Sequence, residues 1–180
     1  MKWLRTIVLF DQGGVISSDA WRNAHESYVR AIGLIDNPQG SGTLTLRRIS
    51  KDKKNRNGVS YLKLRFVDHM RDETWLTEAP VVLRSGHEHP TLKTYPDMQD
   101  HVEPLAASFG GFDFMSVTPN GVRVAIEWET GNISSSHRSL NMLVLALSNG
   151  DIQVGVLIVP SRDMYSHMTD RVGNISELSP

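Results

Sequence analysis

Asp113, Glu127 and Glu129 are the residues of this chain whose type and spacing could do chemistry. They sit among apolar neighbours in two strand-like runs, 112–117 and 122–129. Successive strand residues face opposite sides. Val122, Val124, Ile126 and Trp128 therefore share one face, while Arg123, Ala125, Glu127 and Glu129 share the other. Between the runs, Thr118-Pro119-Asn120-Gly121 offers Pro for the first central position of a type I turn and a Gly that accepts positive φ. A three-residue loop with a Gly bulge pairs Thr118 with Val122. That register sets Asp113 directly opposite Glu127, with Cβ atoms about 4.5–5.5 Å apart, and aims all three carboxylates at one point. A two-residue loop would put Asp113 and Glu127 on opposite faces, so the chemistry depends on this turn. Buried carboxylates without a partner are costly or shift their pKa. A small hard cation answers that need, because Mg²⁺ takes one or two carboxylates together with waters and phosphate oxygens. The plainer alternative is that Glu127 and Glu129 line the wet face of an edge hairpin.

The elements around the hairpin must position these groups. Residues 130–138 are small, polar and rich in donors, and they open a helical pattern with Leu140, Leu143, Val144 and Leu147 on one side. One of Ser134, Ser135 and Ser136 is expected to cap that helix, and Asn149-Gly150 to stop it. Residues 152–159 are nearly all apolar, as suits a central strand buried on both faces. Strand, helix and strand over about thirty residues read as a right-handed crossover. The carboxylates then lie at the C-terminal end of its first strand, where α/β sheets place their chemistry.

The pattern Asp113-x13-Glu127-Trp128-Glu129 before a crossover helix resembles the metal site of the PD-(D/E)xK nucleases. Its third position is Glu129 instead of Lys, as in the BamHI-like branch of the type II restriction endonucleases; BglII-like relatives carry Gln there. The resemblance covers roughly residues 96–175. It implies an α/β fold with a restriction-endonuclease-like core, a mixed β-sheet flanked by helices. It implies Mg²⁺ as cofactor, held by Asp113, Glu127 and the Trp128 carbonyl. Glu129 would orient or deprotonate the attacking water or contact a metal itself, and Glu103 would be an auxiliary carboxylate or, the plainer alternative, a solvated residue at a helix start before Pro104. The polar helix start at Asn132 and Ser134 resembles the segment with which BamHI and BglII read base edges. Asn132, Ser134, Ser135, Ser136, His137 and Arg138 are accordingly the expected DNA-reading residues. The implied activity is hydrolysis of both strands of a short double-stranded site, by a homodimer whose two active sites match a two-fold sequence. A non-catalytic DNA-binding protein that kept the fold is the alternative. Related enzymes usually continue past the position of Pro180, so the chain reads as a small or shortened version.

Composition bounds these expectations. With 180 residues, one domain is the natural size. Its parts would be an N-terminal region over 1–95, a catalytic core over 96–160 and a C-terminal helix within 161–180. Cysteine is absent, which excludes thiolate metal sites and suits a cytoplasmic protein. No run approaches the length of a membrane span, and residues 3–10 are too short for a signal peptide. The formal net charge of −1 argues against a nonspecific nucleic-acid coat. The charge is uneven, however: Arg47, Arg48, Lys51, Lys53, Lys54 and Arg56 put six cations in ten residues. This run joins the strand-like segments 43–49 and 59–67, so it is expected to cap a hairpin and grip DNA phosphates.

The rest is less informative. Ser17 or Ser18 can cap a helix over 20–32 with Trp21, Ala24, Tyr28 and Ile32 on one side. Residues 6–10 followed by Asp11 resemble the nucleophile strand of haloacid-dehalogenase-type phosphatases, but Gly13 stands where the second Asp is needed. His87-Glu88-His89 lacks a third metal ligand nearby and reads as a loop. After Pro160, Ser161 caps a further helix through Met164, Tyr165, Met168 and Val172, ended by Gly173-Asn174.

Overall fold

The hairpin turn sets the sheet. In a computed structural model of the chain, the Thr118 N–H donates to Val122 O at 2.9 Å, and the Gly121 N–H to Thr118 O at 2.8 Å. Gly121 takes φ 79°, a conformation a side chain would strain. The structure describes residues 1–11, 13–46, 59–73, 75–79, 95–99, 111–130, 132–165, 167–168 and 173–178. Strand β2 (Phe112–Val117) pairs antiparallel with β3 (Arg123–Trp128). The partners run from Phe114 with Ile126 to Val117 with Arg123, the expected register.

Two further strands complete a four-stranded mixed sheet in the order β1, β2, β3, β4. Strand β1 (Leu76–Ala79) lies antiparallel to β2, and β4 (Val154–Ile158) lies parallel to β3. Between β3 and β4 the chain crosses over through helix α3 (Ile133–Ser148), capped at its end by Asn149 and followed by Gly150 at φ 73°. Arg123 ties the start of β3 to the α3–β4 turn. Its guanidinium donates to the carbonyls of Asp151 and Gly150, and its N–H to Gln153 Oε1.

Helices cover both faces of β3. On one face Phe114, Val124, Ile126 and Trp128 pack against α1 (Asp19–Gly33) and α2 (Val59–Asp72). On the other, Ala125 packs under Leu143 and Ala146 of α3. This is the expected α/β layering. Ser18 caps α1 by accepting the Trp21 N–H at 3.2 Å. Phe66, fully buried on α2, stacks on Trp128 with ring centroids 4.3 Å apart and meets Phe114 edge-on at 5.1 Å.

Several expectations are corrected. Residues 59–67 form the first part of α2, not a strand. Leu62, Leu64 and Phe66 alternate like a strand face, but burial falls on Leu62, Phe66 and Met70 at four-residue spacing and leaves Leu64 exposed. The basic run therefore does not cap a hairpin between strands; Arg47, Arg48, Lys51, Lys53, Lys54 and Arg56 themselves lie outside the described residues. Strand β4 is the last in the described sheet and only half-buried, because its second ladder edge has no partner there. The inward side of α3 is Ser136, Ser139, Leu143 and Ala146, rotated from the expected stripe, and Val144 faces out. Residues 6–10 form no strand, which removes the scaffold of the phosphatase reading. After Ser161, the described part of the expected helix is α4 (Arg162–Tyr165), with the His167 N–H bonded to Met164 O, and residues 169–172 of its expected course lie outside the described residues. A separate short helix, α5 (Ile175–Leu178), follows where none was expected.

The aromatic stack yields the first prediction. Truncating Phe66 to Ala leaves a cavity between α2 and the sheet and should cost about 3–5 kcal/mol in chemical denaturation, whereas Phe66→Leu should cost less than half of that. Equal losses from the two variants would count against the stack as the anchor of α2.

Candidate active site

At the C-terminal end of β3 the register carries Asp113 across from Glu127. The two are joined through the backbone: the Asp113 N–H points to Glu127 Oε1 at 3.4 Å, and the Trp128 N–H donates to Asp113 Oδ2 at 2.9 Å. Asp113 Oδ1 receives the Lys63 ammonium from α2 at 2.8 Å. Glu127 and Glu129 are both buried, at 6% and 7% exposure.

The helix start supplies the donors that such burial demands. Asn132 is the N-cap of α3, its Oδ1 accepting the Ser135 N–H at 3.0 Å. Capping therefore falls to Asn132 and not to a serine, as the sequence had suggested. Ser136 and Ser139 turn inward instead, while the Ser135 hydroxyl donates to the Asn132 carbonyl at 2.7 Å. The Ser136 hydroxyl lies 3.1 Å from Glu129 Oε2, with Ser135 at 3.3 Å. Ser139 Oγ is 2.6 Å from Glu129 Oε1 and 3.2 Å from Glu127 Oε2. Ser136 is fully buried, so its hydroxyl serves the carboxylate and is closed to DNA. Ser134, His137 and Arg138 lie exposed on the other side of the helix, beside exposed Asn132.

The three carboxylates do not converge as the strand spacing had suggested. No three acidic, His or Cys side chains among the described residues come together around one ion position. Residues 127 and 129 are two strand steps apart, roughly 6.6 Å, and hydroxyls hold Glu129 toward α3. What remains is an opposed pair, Asp113 and Glu127, with Glu129 beside it through the shared Ser139. Hard oxygens in that number suit a cation such as Mg²⁺, which asks for one or two carboxylates. Glu103 and His87-Glu88-His89 lie outside the described residues.

Glu127 records the strain of the pair. Burial first, and the Asp113 charge second, push its pKa up to about 7, against the pull of the Asp113 N–H and the Ser139 hydroxyl. A hydroxyl carries one proton, and the shorter contact places that of Ser139 on Glu129. When Glu127 is protonated, its own proton fills the remaining contact to Ser139 Oγ.

Two useful residues escaped the sequence reading. Ser139 was readable in principle, because it continues the inward face three residues beyond Ser136; starting the stripe at Leu140 hid it. Lys63 carried no local signal, lying fifty residues before Asp113 in a segment that imitates a strand.

The Glu127 shift implies a testable stability profile. A raised carboxyl pKa adds stability that is fully present below the unfolded value of 4.5 and is lost as pH rises through about 7. The swing is roughly 3 kcal/mol. In chelator, Glu127→Gln should therefore be less affected by pH than the native protein and should overtake it in stability by pH 8. Thermal melts at pH 5 and pH 8 read this directly; a difference between the two proteins that stays constant with pH would refute it.

Comparisons with known proteins identify the family. The family model for restriction endonuclease BamHI matches residues 1–180. The chain is 34% identical over 180 residues to the type II restriction enzyme OkrAI of Oceanobacter kriegii, covering all of this chain and 78% of that one. It is 48% identical over 58 residues to the type II restriction enzyme BamHI of Bacillus amyloliquefaciens, covering 32% of this chain and 27% of that enzyme. The chain thus belongs to the BamHI restriction endonuclease family and is a type II restriction endonuclease, a site-specific hydrolase of DNA.

Proposed function

We propose that this enzyme cuts both strands of a short duplex site with Mg²⁺ held by Asp113 and Glu127, the Trp128 carbonyl adding a third oxygen. The observation that carries the reading is the opposed pair at the end of β3, with Glu127 pushed up to about 7 by burial and by Asp113. Restriction enzymes of this type are generally metal-dependent, and a buried acidic pair is stabilised by a divalent ion. When bound, the ion supplies a more acidic water and a positive charge beside the scissile phosphate.

The protein groups do the rest. Asp113 and Glu127 would hold the ion, and the Trp128 N–H fixes the Asp113 side chain through Oδ2. Glu129, held at one oxygen by Ser136 and at the other by Ser139, orients the attacking water and accepts its proton. Asn132, Ser134, His137 and Arg138 face outward from the same helix and read or position the DNA. The basic run 47–56 is proposed as a phosphate grip and Glu103 as an auxiliary carboxylate, both on sequence grounds. Cutting two strands at a two-fold site calls for two active sites, hence a homodimer. Val144 and Leu145 leave apolar surface on α3 that suits such an interface. No helix among the described residues is long and apolar enough to cross a membrane. We place the working enzyme in the cytoplasm as a single domain.

Asp113→Asn and Glu127→Gln should each slow plasmid cleavage by at least about a thousandfold while changing DNA affinity in Ca²⁺ far less. Near-normal cleavage by both would remove the assignment. Asn132→Asp separates reading from capping, since it keeps the cap oxygen and discards the amide donor. It should lose about 1–3 kcal/mol of discrimination between cognate and single-mismatch sites at nearly unchanged melting temperature. Equal weakening toward cognate and random duplexes would show that Asn132 reads no base.

A further inference from the structure

All six oxygens of the three carboxylates have protein partners. Serine oxygens or backbone N–H groups lie at five of them, and a cation at one: Asp113 Oδ1, which takes the Lys63 ammonium. A lysine at this place is notable because the strand itself carries Glu129 where a lysine could have stood. The ammonium comes instead from α2. Its position there is fixed by the core, since neighbouring Leu62 is buried and Phe66 stacks on Trp128, whose N–H holds the other oxygen of the same Asp113. The ion pair is nonetheless open to water, with the Lys63 side chain 46% exposed and that of Asp113 18%. Pairs so placed contribute little to stability and are easily exchanged.

At Asp113 Oδ1 the ammonium and a divalent ion compete, because two cations brought to one oxygen repel each other. A Mg²⁺ ion binds carboxylate oxygen at a shorter distance than an ammonium does and carries twice its charge, so it wins the contest. The displaced ammonium remains on a four-carbon stem beside the place where a phosphate must lie, and phosphate oxygens are natural partners for it.

We propose that Lys63 is an exchangeable counter-ion: it holds Asp113 before metal binds, yields that oxygen to the divalent ion, and then pairs with the scissile phosphate. This rests on the reading that Asp113 and Glu127 hold a metal. The two roles have opposite signatures, which makes them separable from a structural one. Removing the ammonium takes away a competitor for metal and a partner for phosphate at once.

The experiment uses the intact protein as the native form, K63M, K63R and D113N. Mn²⁺ binding is followed calorimetrically without DNA, and single-turnover cleavage is measured at saturating Mg²⁺. K63M should bind Mn²⁺ at least about threefold tighter, yet cleave at least about thirtyfold slower, with an unchanged melting temperature. K63R, which keeps the charge, should fall between K63M and the native enzyme on both measurements. Unchanged or weaker Mn²⁺ binding by K63M, or cleavage within about twofold of native, would overturn the proposal. D113N distinguishes the two readings. If it binds Mn²⁺ as the native protein does, the metal site itself fails and the Lys63 role falls with it. If it loses Mn²⁺ while K63M shows neither change, only the Lys63 role fails.

Discussion

The site exists because the β2–β3 hairpin closes with a three-residue loop. Side chains alternate with a period of two, so a slip of one residue would turn Asp113 away from Glu127 and take the whole apolar set of β2 off the core. The Thr118–Val122 pair and the positive φ of Gly121 hold that register at one end. At the other end the ladder gives way to chemistry: the Trp128 N–H bonds the Asp113 side chain. A backbone group of β3 is thus used to aim the Asp113 carboxylate.

That register puts charge where water is scarce. Glu127 and Glu129 lie on the face of β3 covered by α3, and a fully apolar helix would leave them without donors. Helix α3 is built otherwise. Its inward side carries hydroxyls at Ser136 and Ser139 over the carboxylates, then Leu143 and Ala146 over Ala125. One helix therefore changes from polar to apolar along its buried face, while its outward side at the same end presents Ser134, His137 and Arg138. Exposed polar groups and carboxylate supports are separated by rotation about a single axis. The Glu127 shift survives these hydroxyls because Ser139 has only one proton to share between two acids.

Legibility followed the range of the causes. The hairpin register, the crossover helix and the placing of acids at a strand end are decided within about thirty residues, and all could be read from spacing and turn chemistry. Helix α2 was misread because Leu62, Leu64 and Phe66 alternate, and only burial against Trp128 and Phe114 reveals which of them face inward. Strand β1 is four residues long with one of them buried, too little for any pattern to mark. The convergence of all three acids was overestimated because alternation fixes a face and says nothing of where a helix will pull a side chain. Lys63 is the limiting case, since no rule of spacing links residues fifty apart.

The carboxylate supports extend past the crossover into the C-terminal segment. Gly173 is buried so close to α3 that a Cβ there would stand 2.6 Å from Ser136 Oγ and 3.1 Å from its Cβ. Ser136 is fully buried and cannot retreat without giving up its contact to Glu129 Oε2. The absence of a side chain at residue 173 is therefore a condition on the placing of Glu129, 44 residues before it in the chain, transmitted through the Ser136 hydroxyl. The same segment, read from sequence as a helix stop, needs its glycine for close approach rather than for a turn: Gly173 shows no positive φ among the described residues. The packing of the C-terminal segment and the placing of Glu129 are coupled at this point, because the group that packs the one is also the group that holds the other.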